Sequence, residues 1–321
     1  MTLKGRKMKF SLQMSIIGGV FISSYAFAAN EEILINAQQV NTQCLSNQWQ
    51  KQELLQLKND KFILENKADK EALALQLLAC LASPDAEIRD GIAFEALSNW
   101  LRNEQLSQAT HLKMFNYLTR VLEFKVTDTF GVYQSFSILV LAEVARVDRQ
   151  SPFLTTKQRD YLVKVGTNFL TNVKDYRGFS AKVGWQHSIA HSADLMLQLA
   201  LNPEVNKAQL DKILDALASQ ITAHLQHSYV EGESKRIAMA VIYVFLREEY
   251  IMDDFHHWLD KVAESAPFKQ WQDVYQSEQG LIKLHNTQSF LYALYATIKP
   301  SKNKVLIEMS AYLEQAIKAV K

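Results

Sequence analysis

The stretch ALALQLLACLASPDAEIRDGIAFEALSNWL, residues 72–101, decides the fold class. Leu73, Leu75, Leu77, Leu78 and Leu81 recur at helical spacing. After a break, Ile88, Ile92, Leu97 and Leu101 repeat the pattern. The break is Ser83-Pro84-Asp85, read as a cap ahead of a helix-opening proline. Two helices with apolar faces, joined by a short loop, follow from that spacing.

The rest of the chain has the same texture. It holds 10 Gly and 5 Pro in 321 residues, too few for a turn-rich β protein. Pro84, Pro152, Pro203, Pro267 and Pro300 all fall at or near breaks in apolar periodicity. No Asn-Gly or Asp-Gly turn joins two alternating runs. Thr155 and Gln158 form a capping box ahead of Tyr161, Leu162 and Val165. The expectation is an all-α chain of about twelve to fourteen helices with short loops. No linker divides it, so stacked helical hairpins in an irregular α-solenoid or α/α superhelix, HEAT- or armadillo-like in texture, are the expected arrangement.

The first residues carry export signals. Lys4, Arg6, Lys7 and Lys9 precede a mostly apolar stretch over residues 10–25, and Ala26-Phe27-Ala28 supplies a small-x-small cleavage site. Residues 1–28 are expected to be a signal peptide and residues 29–321 a single helical domain exported to a bacterial periplasm. Without the signal peptide, the 35 basic and 34 acidic residues become 31 and 34, a net charge of −3. That balance gives no electrostatic reason to seek nucleic acid or anionic membrane. The most apolar later run, residues 237–246, is too short to span a bilayer and reads as a core helix. Cys44 and Cys80 are candidates for a disulfide in an oxidising compartment, which would add roughly 3–4 kcal/mol on the chain-entropy argument.

The chemistry-bearing segment is residues 175–201. On a helix with His187 at zero, His191 falls at about 40°, Asp194 at about −20° and Gln198 at about 20°. Four polar groups thus share one stripe, while Ile189, Ala193, Leu195, Met196, Leu197, Leu199 and Ala200 surround it. A helix apolar nearly all round is buried, so the stripe must face a cavity, a partner helix or a bound species. One reading has His187, His191 and Asp194 ligating a divalent ion (zinc, manganese or iron) that could activate water. The other has the stripe as a satisfied hydrogen-bond network.

Glu231, Glu233 and Arg236 open an apolar helix, where acids suit the helix dipole; Glu233 or Arg236 could instead face the stripe as ligand, base or anion clamp. Asp175 and Arg177 either stabilise the turn before the stripe or reach the same cavity. Arg89-Asp90 reads as an inter-helix salt bridge, and His256-His257 as a solvated face. His111, His224, His227 and His285 read as surface or capping residues. Phosphate-cradling glycine loops, a G-x-S-x-G elbow and CxxC pairs are absent, and nothing local recommends Ser135 as a nucleophile.

The run Asp175-Tyr176-Arg177-Gly178, followed by Gly184-Trp185, His187, Ala190-His191 and Ala193-Asp194, resembles the signature of the domain of unknown function 2785 family. Ser83-Pro84-Asp85 through Asp90, Ser135-Phe136-Ser137, the segment from Glu231 to Ala238, and Asn286 through Phe290 are similar to it as well. The resemblance covers about residues 74–297, with Gln186 and Ser192 departing from the pattern. It implies a helical fold and the His/His/Asp residues as site candidates, but no reaction. Two functions are therefore carried forward. One is a metal- or small-ligand-binding pocket with hydrolase-like chemistry, centred on His187, His191 and Asp194, with Glu233, Arg236, Asp175 and Arg177 as catalytic candidates. The other is a helical scaffold for a periplasmic or surface protein.

Overall fold

A computed structural model describes residues 35–321 apart from 46–48, 125 and 222–226. The segment 1–28 and His224 lie outside the described residues.

The described chain is helical, as the apolar periodicity predicts. Its helices are α1 (Ala37–Gln43), α2 (Lys51–Asn59), α3 (Lys67–Cys80), α4 (Ala86–Ile88), α5 (Glu95–Arg102), α6 (Gln108–Glu123) and α7 (Tyr133–Gln150). There follow α8 (Thr156–Asn172), α9 (Ser188–Ala200), α10 (Lys207–Ile221), α11 (Glu233–Phe245), α12 (Met252–Val262), α13 (Glu278–Ile298) and α14 (Lys304–Ala319). A π-helical segment, Arg89–Phe94, joins α4 to α5, and a 3-10 segment, Trp271–Gln276, precedes α13. Strand structure among the described residues is two ladders of two-residue strands. The strand β1 (Ile35–Asn36) runs parallel to β2 (Val126–Thr127), and β3 (Phe179–Ser180) antiparallel to β4 (Gly184–Trp185).

Polar side chains start these helices by satisfying first-turn N–H groups. Asn66 opens α3, Ser107 opens α6, and the Thr155/Gln158 capping box opens α8. All five prolines sit between helices. Pro84 differs from the expectation in detail: Asp85 is the cap, accepting from the Glu87 N–H at 2.9 Å, so the proline precedes the cap instead of opening the helix. After Pro152 the chain is held by Asp148. Its carboxylate accepts from the N–H groups of Phe153 and Leu154, from Arg159 and from Asn202. That buried pair has its hydrogen bonds made on both sides, the condition under which a buried charge is tolerated.

Packing follows a pattern of alternate helices. Helix α7 packs on α9, α9 on α11 and α11 on α13, while α6 packs on α8 and α8 on α10. The core holds Trp100, Phe115, Tyr133, Phe255 and Phe290 among its fully buried side chains. Each such side chain contributes about 1.5–3 kcal/mol of transfer free energy. Helix α11 includes all but the last residue of the apolar run 237–246 and buries Ile237, Val241, Ile242 and Val244, as expected of a core helix. Among the described residues no helix is long and apolar enough to cross a membrane. Cys44 and Cys80 are bonded to each other, tying the end of α1 to the end of α3.

Candidate functional site

Helix α9 begins at Ser188, not upstream of His187 as the helical-stripe reading supposes. His187 is the capping residue and adopts a left-handed backbone, φ 53°. The cause is the β3–β4 hairpin that feeds the helix. Gly184 turns it at φ 75°, and the Gln186 and His187 N–H groups donate to Gly178 O (2.8 Å) and Arg177 O (3.0 Å). These bonds swing the His187 ring beside the first turn, its centroid 5.7 Å from that of His191. His187, His191, Asp194 and Gln198 consequently line one cleft of about 600 Å³.

The far wall of the cleft comes from the π segment and α7. Arg89 is fully buried and donates to the carbonyl oxygens of Ser83 (3.0 Å), Val183 (2.7 Å) and Trp185 (3.3 Å). Its guanidinium lies over the Phe136 ring at 4.6 Å. Arg89 also meets Asp90 at 2.7 Å, within the same segment, so the expected inter-helix salt bridge is corrected: Arg89 instead clamps the β3–β4 hairpin backbone. A π turn inserts an extra residue into the helix. Here Arg89 is buried while Asp90 and Phe94, from the same segment, line the cleft.

His191 is held in one tautomer. The Ser135 hydroxyl donates its hydrogen to Gln186 O, so Ser135 Oγ can only accept from the imidazole. His191 Nδ1 lies 2.9 Å from that Oγ and 3.1 Å from the Ser135 carbonyl oxygen, two acceptors. The proton therefore sits on Nδ1, and Nε2 keeps its lone pair. Burial, reinforced by neighbouring His187, pushes the His191 pKa down to about 3, so the ring stays neutral. Local sequence offered no reason to single out Ser135; the fold places it as the residue that orients His191.

Asp194 is paired with Arg236, whose side chain is half exposed on the cleft. Burial raises the Asp194 pKa against the pull of Arg236. Gln198 accepts from Arg149 Nε at 3.2 Å. Arg102 donates Nε to Glu143 at 2.9 Å, and both residues line the cleft. Asp175 and Arg177 are bonded to each other (Nε to Oδ1, 2.8 Å) and are not among the residues lining this cleft. Asp175 borders a separate cleft of about 580 Å³ with Gly131, Lys164 and Asn168. The Asp175–Arg177 pair fills the space beside Gly131, where a Cβ would come within 2.0 Å of the Asp175 carboxylate.

Behind the His187 ring lies a second cluster. Gly232 caps α11 at φ 94°, a conformation that favours glycine, and turns Glu231 and Glu233 toward one another. The Glu231 N–H donates to Glu233 Oε2 at 3.0 Å, leaving Glu233 Oε1 without a hydrogen bond, 3.8 Å from His187 Nε2. His227 completes the group: ligating atoms of His227, Glu231 and Glu233 lie within 4.8 Å of one another. Burial, with the charge of Glu231 adding to it, raises the Glu233 pKa to about 7. Burial lowers that of His187, and Arg236 adds to the effect. Asn286 fixes the loop segment that carries His227, accepting from the Tyr229 N–H and donating to His227 O, both at 2.9 Å.

The surface reading of the scattered histidines is therefore corrected in two places. His227 is half-buried in this cluster, and His111 is buried against the Phe153 ring. His285 is exposed with Nε2 at 3.1 Å from Tyr229 O, and His256 lies beside Asp260 at 3.5 Å.

Residues 121–296, just over half of the chain, match the family described as "Protein of unknown function (DUF2785)". The match contains α9, α11, Asn286 and both histidine clusters, while Asp90, Phe94 and Arg102 on the far wall lie outside it. No curated protein and no solved structure matches the chain.

Proposed function

The chain belongs to the DUF2785 family, and from that premise we propose that the cleft over α9 binds a small organic anion, with hydrolase-like chemistry at His191. The observation that carries this reading is the placement of His187, His191, Asp194 and Gln198 on one cleft of about 600 Å³ instead of in a closed core. Ligand pockets combine apolar walls with a few convergent polar groups. Phe94, Phe136, Leu139 and Trp185 supply the first here, and Arg236 and Arg102 supply the second. Arg236 engages Asp194 through Nη1, and the rest of its fork can take a carboxylate or phosphate oxygen.

His191 lines the same cleft with Nδ1 turned to Ser135, so Nε2 offers a neutral lone pair that can accept a hydrogen bond from, and so orient, water or a substrate hydroxyl. A zinc, manganese or iron ion on His187, His191 and Asp194 would need Asp194 to leave Arg236. In this reading those three side chains face the ligand instead. The scaffold alternative expects His187 to be satisfied by its neighbours. Its Nε2 is buried without a hydrogen-bond partner, which favours a pocket.

Two broader expectations are part of the proposal. Packing between alternate helices supports an α/α superhelix of stacked hairpins. The Cys44–Cys80 bond supports export to the periplasm, and sequencing a mature N-terminus at Ala29 would test it.

The binding test is a thermal-shift panel of inorganic phosphate, dicarboxylates and aryl phosphate or carboxylate esters, run on wild type, Arg236→Gln and His191→Gln. A ligand that raises the wild-type melting temperature but not that of Arg236→Gln supports the reading. Ester turnover lost in His191→Gln would support the chemistry. A panel that moves neither protein, or moves both equally, overturns the anion reading.

A further inference from the structure

With both glutamates ionised, four buried ligating atoms around Glu233 lack a hydrogen-bond partner: Glu233 Oε1, Glu231 Oε2, His227 Nε2 and His187 Nε2. Only a proton on Glu233, shared with Glu231, relieves the carboxylate pair without a cation. Glu233 is 1 % exposed and His187 8 %. Each unsatisfied buried polar group costs about 1–3 kcal/mol, so four in one place is an arrangement that packing alone does not sustain. Among the described residues no Lys or Arg forms a salt bridge with Glu231 or Glu233; the nearest base is His187, at 3.8 Å from Glu233. Two adjacent carboxylates and two imidazoles with unsatisfied nitrogens share one missing partner, a cation.

The supports are rigid. The left-handed turn at Gly232 and the Glu231 N–H bond to Glu233 fix the two carboxylates relative to each other. Asn286 holds the backbone on both sides of residue 228, which positions the His227 ring against Tyr176 at 6.0 Å. Gly178 leaves the space that the Glu231 carboxylate occupies, since a Cβ there would lie 2.7 Å from Glu231 Cδ. Ligands held this way need little reorganisation to bind an ion.

We propose that His227, Glu231 and Glu233 bind one divalent transition-metal cation, with the His187 ring facing the same centre. Imidazole with two carboxylates suits zinc, manganese or ferrous iron better than calcium, which takes oxygen ligands in larger number. Three protein ligands leave a coordination position open, as in catalytic metal sites. Glu231 and His187 also line the α9 cleft, so that position adjoins it. The ion does not depend on what the cleft binds, and it is distinct from a metal on His187, His191 and Asp194.

The test is calorimetric titration of the tag-free, chelator-stripped chain with zinc or manganese chloride. One equivalent should bind, and Glu233→Gln and His227→Gln should each weaken binding by about 100-fold. His191→Gln and Arg236→Gln should leave it within a few-fold of wild type, which separates this site from the anion site of the cleft. Cobalt provides a second readout: its visible absorption on the wild-type chain should shift in His227→Gln. Should Glu233→Gln fail to fold, Glu231→Gln takes its place. Absence of stoichiometric binding in the wild type overturns the proposal. Equal affinity in the wild type and the His227 and Glu231 variants does so as well.

Discussion

The imidazole of His191 gives its Nδ1 hydrogen to the carbonyl oxygen of Ser135, 3.1 Å away, and with it loses any choice of tautomer. The neighbouring Ser135 hydroxyl cannot compete as a donor, because its own hydrogen goes to Gln186 O. A buried histidine anchored at one nitrogen in this way presents the other as a lone pair, the state required of a base or a metal ligand.

The same burial makes His191 a source of acid sensitivity. An unfolded chain protonates this ring near the ordinary value of 6.5, the folded chain only near 3. The folded pKa is depressed, so the contribution to stability is present above pH 6.5 and is lost as the pH falls toward 3. Between those limits wild type should lose up to about 1.4 kcal/mol per pH unit from this group. His191→Gln should lack that slope. Urea unfolding of both proteins from pH 7 to pH 4 checks it, and parallel curves would mean that His191 titrates normally.

Arg89 should be among the most costly residues to replace. It binds three carbonyl oxygens, those of Ser83 and Val183 in buried bonds and that of Trp185 in a part-buried one, and packs on Phe136. Arg89→Met should destabilise the chain by about 3 kcal/mol or more, since those acceptors and Asp90 are left without a partner. Lysine should not rescue it, because one ammonium cannot reproduce the guanidinium fork. Limited proteolysis is expected to reveal faster cleavage at residues 179–187 in the variant. An unchanged melting temperature in Arg89→Met would contradict the clamp.

The helical class was legible because apolar spacing and proline placement are local signals, and so was the run His191, Asp194 and Gln198 on one face of α9. His187 was not correctly placed, since its left-handed backbone is imposed by bonds to Arg177 and Gly178 in the preceding hairpin. The Asp194–Arg236 pair joins residues 42 apart in sequence, beyond the reach of periodicity. His227 was misread for a similar reason: its neighbours are chosen by the turn at Gly232 and by Asn286 on a distant helix. A signal was present, in a histidine four residues ahead of a Glu-Gly-Glu turn, but only the turn geometry shows that the three converge.

The Cys44–Cys80 bond should matter mainly for the first helices. It closes a loop between residues 36 apart, worth about 3–4 kcal/mol in restricted unfolded-chain entropy. Reduction, or a Cys44→Ser/Cys80→Ser double variant, should lower the urea midpoint by a corresponding amount. Hydrogen exchange should rise first in α1, which is short and tied to α3 by this bond. No change of midpoint on reduction would show that the bond adds nothing to global stability.

Two glycines separate stability from cation binding. A Cβ on Gly232 meets no atom within 4 Å, so Gly232→Ala carries only the cost of a left-handed backbone, about 1–2 kcal/mol. Gly178 has no such backbone demand, but a Cβ there would strike the Glu231 side chain at 2.7–2.8 Å. That side chain can swing away, so Gly178→Ala should change stability by less than about 1 kcal/mol. It should nevertheless displace one proposed ligand and weaken zinc or manganese binding by about 10-fold or more. Gly232→Ala should lower the melting temperature and, with the backbone turn kept, leave the affinity for the ion within a few-fold of wild type. Paired thermal unfolding of the apo chain and calorimetry of the same samples distinguish the two effects. Wild-type metal affinity in Gly178→Ala would remove Glu231 from the ligand set, because the three atoms nearest that glycine's vacant Cβ position all belong to Glu231.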